Sequence, residues 1–310
     1  MADGPTDDAL VRFLFRDAGV RAEMVRLGPS WREVVARQEL PAGVRDRLGE
    51  LSAAALLLSA SLKFDGKLIA QIHGDGPVSL LVVESDAEGR FRSTCKLRDG
   101  PPIAPETGLQ QLVNANGQGR FALTLDPRMR APDRPPYQGI VPFDGDSVAA
   151  VLEHYMARSE QVPTRLWLAA DGERAAGLLL QRLPGEGGRL EGVDPDAWDR
   201  LQRLAETVTA TELLEVEPRT LLSRLFWQEP MTVGDRRGCR FACTCSRQKV
   251  SAMLRMLGRD EIADILAEQG SVSVRCDYCN QPYAFDAVDC AQVFAAPADD
   301  ASAPPSSTRH

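Results

Sequence analysis

The chain has 310 residues, 44% of them hydrophobic and 26% charged, with a formal net charge of −8. That length supports a substantial core and two domains. The acidic balance speaks against a nucleic-acid binder driven by phosphate neutralisation, and no apolar run approaches the roughly 20 residues of a membrane span.

The first residues, MADGPTDDALVRFLF, carry acids where a secretory signal has its basic region, so no targeting peptide is expected. Helix and strand are both open for the stretch from Asp7, whereas VRAEMVRL (20–27) reads as a strand. Ser30 is expected to cap a helix over WREVVARQEL, with Glu33 completing a capping box. Pro41 opens a second helix whose middle, Leu48 to Leu58, is apolar nearly all round and is therefore expected in the core. After a turn at Phe64-Asp65-Gly66, three strands are expected between Lys67 and Arg98, separated by turn-forming residues at 73–77 and 86–89. GRFALTLDP and YQGIVPFDG read as two more strands. SVAAVLEHYMARSEQ reads as a helix capped by Ser147, and TRLWLAAD with RAAGLLLQRLP as a hairpin around Asp171-Gly172. Residues 1–190 are thus expected to form one mixed α+β domain with a largely antiparallel sheet and a buried helix.

Residues 191–230 are expected to form a helical, metastable linker. Between Glu191 and Glu229 there are nine acids and four bases. One helix is expected from Asp194-Pro195 through Val216, and Pro218 opens a shorter one. Leu201, Leu204, Val208 and Leu214 give an apolar face, but Thr207, Val208, Thr209 and Thr211 lower the helix propensity. Such a helix depends on docking.

Residues 231–294 carry the chemistry. Cys243 and Cys245 form a C-x-C pair; thirty residues later Cys276 and Cys279 form a C-x-x-C pair. Between them Ser246 caps one helix ended by Gly258, Asp260 is expected to cap a second ended by Gly270, and SVSVRC leads as a strand into Cys276 with YAF returning. Asp286 caps a last turn, and residues 295–310, rich in Ala, Pro and Ser, are expected to be disordered. Two close thiol pairs can close a tetrahedral soft-metal site, and zinc is the usual occupant of a four-cysteine shell. The same pairs are near enough for two local disulfides, so a permanent structural site and a redox switch both stand at this point. Arg240, Arg247, Lys249 and Arg275 place positive charge nearby, which would favour thiolate. The count of seven cysteines is odd and all but Cys95 fall between Cys239 and Cys290, which fits a reducing compartment and a metal or redox site better than a secreted disulfide scaffold. Cys239 can form a C-x₃-C with Cys243 or serve as a reserve thiol; Cys290 reads as a residue of the last turn and Cys95 as a free core thiol. Neither His73 nor His154 has a partner at catalytic spacing, and no nucleophile–base pair can be named, so the chain is not read as an enzyme.

The segments 241–250 (FACTCSRQKV), 257–258 (LG), 268–270 (EQG) and 276–286 (CDYCNQPYAFD) resemble the heat shock protein 33 family of redox-regulated chaperones. So do 62–66 (LKFDG), 74–84 (GDGPVSLLVVE), 137–142 (YQGIVP), 155–161 (YMARSEQ) and 164–169 (TRLWLA), in the same order, over about residues 10–290. The resemblance implies a cytoplasmic, ATP-independent holdase. Reduced, it would be an inactive monomer with one zinc on Cys243, Cys245, Cys276 and Cys279. Oxidation would pair Cys243 with Cys245 and Cys276 with Cys279, release the zinc, unfold the zinc domain and linker, and give a homodimer that holds unfolded client proteins. Cys239, Cys290 and the tail depart from that pattern. The competing reading is a constitutive zinc-stabilised interaction module, including a nucleic-acid reader. The acidic charge and the lack of a basic, aromatic strip count against it.

Overall fold

The computed structural model describes residues 7–62, 65–127, 133–183 and 194–295, and the chain divides into two compact units after Ala242. Phe64 of the expected turn, the linker start at 191–193 and the expected disordered tail beyond Ala295 lie outside the described residues.

The first unit is built on two sheets. One has five strands in the order β10 (Thr232–Gly238), β1 (Ala9–Phe15), β2 (Val20–Leu27), β9 (Ala175–Arg182) and β8 (Thr164–Ala170). The other has six: β11 (Arg240–Phe241), β5 (Arg90–Leu97), β4 (Val78–Asp86), β3 (Lys67–His73), β6 (Arg120–Asp126) and β7 (Tyr137–Pro142). All pairings are antiparallel except β11 with β5. The expected antiparallel α+β class holds, with two sheets rather than one.

Between the sheets runs α2 (Ala42–Ser61), packed on β2, β8 and β9 on one side and on β3, β4 and β5 on the other. Every residue from Leu48 to Leu58 is buried, as the all-round apolar sequence requires. Its serines are accommodated because Ser52 and Ser59 donate to the carbonyls of Leu48 and Ala55 one turn back. Gly49 is the point of closest approach: a Cβ there would lie 2.5 Å from the Ala170 Cβ and 2.9 Å from the Trp31 ring. Gly49→Ala should gain about 1 kcal/mol of helix propensity and lose about 1–3 kcal/mol to overpacking. A net loss of stability in urea unfolding is therefore expected; a gain would show that Trp31 and β8 can move aside.

Two caps come from distant residues that no local pattern reveals. Helix α1 (Pro29–Val35) starts two residues earlier than expected, and Ser30 lies inside it. Its leading amides, Gly28 and Ser30, donate to the Asp8 carboxylate at 2.9 Å, so Asp8 does the work assigned to Ser30. At the end of α2, Arg12 and Arg21 donate to the carbonyls of Ala60 and Ser61 at 2.7 and 2.8 Å, and the buried Glu23 carboxylate sits between them. Shorter helices α3 (Leu109–Val113) and α4 (Val148–Tyr155) complete this part; Ser147 caps α4 as expected, accepting from the Ala150 amide.

The linker segment belongs to the first unit and covers the outer face of the five-stranded sheet. The single helix expected over its first half is two: α5 (Ala197–Ala205) and α6 (Ala210–Glu215). The β-branched run marks the break, because Thr209 has left the helix to cap α6 in a reciprocal capping box with Glu212. Pro218 opens α7 (Pro218–Leu225) as expected. Ala197, Leu201, Ala205, Leu213, Leu221, Leu222 and Phe226 are buried in one cluster with Val11, Phe13, Phe15, Met24, Leu178 and Leu180 of the sheet. Residues 231–242 also lie in the first unit rather than with the cysteine region, because β10 and β11 pair with β1 and β5.

The second unit contains α8 (Arg247–Leu257), α9 (Arg259–Gln269), the hairpin β12 (Val272–Arg275)–β13 (Pro282–Phe285), and α10 (Ala287–Ala295). Asp260 lies in the first turn of α9 rather than capping it; Gly258, with φ of 98°, occupies the cap position. Among the described residues, seven buried ones make its core: Val250, Leu254, Ile262, Val272, Phe285, Cys290 and Val293.

Candidate metal centre

The two thiol pairs reach one point by different routes. Cys243 and Cys245 lie on an irregular segment just before α8, two residues apart, a spacing that turns both side chains the same way along extended backbone. The segment is fixed from α8: the Ser246 hydroxyl caps the helix by accepting from the Lys249 amide, and Lys249 Nζ donates to the Thr244 carbonyl at 2.6 Å. Cys276 and Cys279 occupy the turn of the β12–β13 hairpin. That turn is closed by Asn280 N–H to the Cys276 carbonyl at 2.8 Å and Cys276 N–H to the Gln281 carbonyl at 3.0 Å, with Asn280 left-handed at φ 59°. Its other amides point inward, those of Tyr278 and Cys279 at the Cys276 sulfur and that of Gln281 at the Cys279 sulfur.

The four Sγ atoms all lie within 4.8 Å of one another; Cys243 and Cys276 are 3.7 Å apart, Cys245 and Cys279 3.4 Å. Zn–S bonds of about 2.3 Å in a tetrahedron require sulfurs about 3.8 Å apart, so the donor set and its spacing fit one four-coordinate soft metal. All seven cysteines are free thiols. Burial raises the Cys276 and Cys279 thiols above the ordinary range, while the turn amides pull both down. Two of the expected basic side chains make contacts away from the hairpin sulfurs. Arg247 donates to the Ala284 carbonyl, pairs with Asp289 at 2.8 Å and lies over the Phe285 ring, and Lys249 serves the Thr244 carbonyl. The groups that favour thiolate at the hairpin sulfurs are therefore main-chain amides rather than arginines.

Tyr283 was not singled out by its sequence pattern. From β13 its hydroxyl donates to the Cys245 sulfur at 3.1 Å, which raises the phenol to about 12. Its place opposite Val274, beside the knuckle, is a consequence of hairpin register that cysteine spacing does not carry.

The remaining cysteines stand apart from the four. Cys239 is in the buried core of the first unit, its thiol pushed up to about 12 by burial, so the C-x₃-C pairing with Cys243 is not formed among the described residues. Cys290 is a buried residue of α10 in the second unit's own core. Cys95, on β5, is half-buried and also raised to about 12 by burial. His73 ends β3, and His154 Nδ1 lies 2.9 Å from the Asp144 carbonyl.

A sequence model of the family described as Hsp33 protein matches residues 8–286. The chain belongs to the Hsp33 family. A relative from Chromobacterium violaceum named "33 kDa chaperonin" is 47% identical over 290 residues, covering 93% of this chain and 94% of its own. One of the same name from Methylobacillus flagellatus is 44% identical over 288 residues, with the same coverage. The crystal structure of the 33 kDa chaperonin from Thermotoga maritima shares the Hsp33 fold with a TM-score of 0.74 at 22% identity, covering 92% of this chain and 97% of that one. Among the described residues no helix is long and apolar enough to cross a membrane.

Proposed function

We propose that this Hsp33-family chain is a redox-regulated, ATP-independent holdase chaperone of the cytoplasm, holding unfolded proteins once its thiols are oxidised. The observation that carries the reading is the convergence of Cys243, Cys245, Cys276 and Cys279 in a unit whose own core is seven residues. Bound by the four thiolates, zinc would supply the cross-link that such a core lacks.

In the oxidised form Cys243 pairs with Cys245 and Cys276 with Cys279. Each peroxide accepts two electrons from one thiol pair, leaving a disulfide and two waters, and a disulfide sulfur no longer serves as a thiolate ligand. The pairing matters physically. Cross-pairs between the two ends would close loops of about thirty residues and restrain the unfolded chain by roughly 3–4 kcal/mol, whereas neighbour pairs restrain it by only about half as much and tie no distant parts of the unit together. Local disulfides therefore release the unit, and cross-pairs would hold it. The metastable segment is the linker, residues 191–230, whose acidic helices α5–α7 cover an apolar sheet face. Released, it leaves that face open to clients. A reduced monomer and an oxidised homodimer complete the proposal.

The test is peroxide treatment of the reduced protein, with zinc release read by a chromophoric chelator, disulfides by peptide mapping, and activity by light scattering of thermally unfolding citrate synthase. About one zinc per chain, two neighbour disulfides and suppressed scattering are expected. Zinc release without suppression would defeat the chaperone reading. Suppression by the reduced, zinc-loaded protein would favour a constitutive module. Tyr283→Phe removes one hydrogen bond to a ligand sulfur, and zinc affinity is expected to fall about tenfold with the fold retained, since partners of metal ligands typically contribute 10–100-fold. Chelator competition reads it, and unchanged affinity would mean that the Tyr283 hydroxyl does not orient Cys245.

A further inference from the structure

Residues 231–242 form a strap across both sheets of the first unit. β10 pairs with β1, Ala9 opposite Gly238, Val11 opposite Arg236 and Phe13 opposite Val233; β11 then pairs with β5. The strap is anchored at its ends. Met231 packs on the cluster beneath the linker helices. Cys239 is buried in the inter-sheet core, and Phe241 packs against it under the Arg37 guanidinium. The amides of Cys239, Arg240 and Ala242 donate to the carbonyls of Asp8, Gly89 and Phe91 at 2.7, 2.9 and 2.8 Å. Between the anchors, main-chain pairing and surface charge carry the contact. All of β10 except Arg237 is exposed, and none of its residues sits in a buried cluster. Gly234, Asp235 and Gly238 are poor strand formers, and a bulge interrupts the pairing between Val11 and Phe13.

The strand underneath is of opposite character. β1 is mostly buried, with Leu10 facing the inter-sheet core and Val11, Phe13 and Phe15 facing the cluster covered by α5–α7. Its even-numbered residues turn their main-chain groups toward the strap. The Asp8 carbonyl accepts from Cys239, the Leu10 amide points at the Cys239 sulfur, and the Arg12 carbonyl lies against Gly234. One strand thus joins an edge of amides and carbonyls, under the strap, to a row of apolar side chains, under the linker. Ala242 is followed directly by Cys243, so loss of order at the first metal ligand reaches the strap before any other part of the first unit.

We infer that β1 is the docking edge for clients. When residues 232–238 lift away, an extended segment of an unfolded protein takes the place of β10. It adds to the sheet through main-chain hydrogen bonds, with its apolar side chains on the Val11–Phe13–Phe15 row. The inference rests on the oxidation-activated reading above. Main-chain recognition is indifferent to client sequence, as a holdase for many proteins requires. A second copy's strap would repeat the polar, glycine-rich match that β10 already makes, whereas the apolar segments of an unfolded chain complement the row.

Residue-resolved amide hydrogen exchange on the full chain tests this, with carboxymethylated α-lactalbumin as a permanently unfolded probe and citrate synthase scattering measured on the same samples. The amides of Leu10, Arg12 and Leu14 should be protected in the reduced protein, exchange at least about tenfold faster after oxidation as the strap opens, and regain protection when the probe is added. The inference is overturned if these amides keep their protection after oxidation, or stay fast with the probe bound while scattering is suppressed. It is also overturned if they regain protection in oxidised protein without probe as concentration rises, which would identify a second copy as the occupant. Absence of scattering suppression after oxidation would instead remove the chaperone reading itself, and the client edge with it.

Discussion

Replacing Cys276 by serine is expected to leave residues 243–295 unfolded in reducing buffer with zinc present, while the inter-sheet core of the first unit stays folded. A domain under about 70–80 residues rarely draws more than about 3–5 kcal/mol from its core, and the core here is seven residues, two of them on α10. A structural zinc contributes on the order of 10–16 kcal/mol to a small metal domain. The metal's share exceeds the core's, so a site reduced to three thiolates cannot hold the unit. Cys276 is also the residue whose sulfur receives two turn amides, so its loss strips the knuckle of the acceptor that organises it. Backbone NMR and limited proteolysis read the outcome. Chelation of the wild-type protein should collapse the resonances of 243–295 in the same pattern, and zinc should restore the wild type but not Cys276→Ser. Persistent, dispersed resonances for α8–α10 in the metal-free protein would show that the core suffices and that the four sulfurs do not control folding.

The inter-sheet core of the first unit must survive that change for a switch to work, and its packing gives the reason. The inter-sheet cluster around α2 draws on both sheets and owes nothing to residues beyond Ala242. This part of the fold was legible because its signals are local. An eleven-residue stretch with no polar face can only be a core helix, and Gly–Asp–Pro clusters set the ends of β3 to β7. The grouping of the four cysteines was equally legible, because the spacing of the two thiol pairs is itself written along the chain.

What was not legible depends on residues far apart. Asp8 caps α1 from twenty residues away, and Arg12 and Arg21 cap α2 from forty or more, so Ser30 looked like the only candidate for a job already taken. The split of the linker helix at Thr209 was half visible. The weak propensity shows in the sequence, but a weak helix and two capped helices share the same composition, and only the Thr209–Glu212 pairing separates them. The division after Ala242 was missed because β10 reads as a polar, glycine-containing loop; its strand character comes entirely from β1. The basic residues around the thiols misled for a related reason. Charge near a cysteine in sequence predicts thiolate only if the side chain turns that way, and Arg247 turns instead to Asp289 and Phe285.

Phe226→Ala is expected to switch the chaperone on without oxidant. Phe226 is 1% exposed and stands edge-on to Phe15 of β1 with ring centroids 5.1 Å apart. Removing a buried phenylalanine costs about 3–5 kcal/mol. The helices it pins have 9, 6 and 8 residues, well under the roughly 12–15 at which isolated helices become even marginal. For α5–α7 undocking and unfolding are therefore one event. At about 1.4 kcal/mol per factor of ten, the open population should rise roughly a hundredfold to a thousandfold or more. Protease cleavage within 194–230, binding of an apolar dye and protection of citrate synthase should rise together in the reduced variant while its zinc stays bound. Arg219→Ala, on the exposed side of α7, should change none of them. If cleavage does not rise, docking is not what holds the linker in place. If cleavage rises and citrate synthase still aggregates, the uncovered Val11–Phe13–Phe15 face is not enough to hold a client. Oxidation must then supply something more, and the strap over β1, which runs into a second unit that stays folded in this variant, is the element left to supply it.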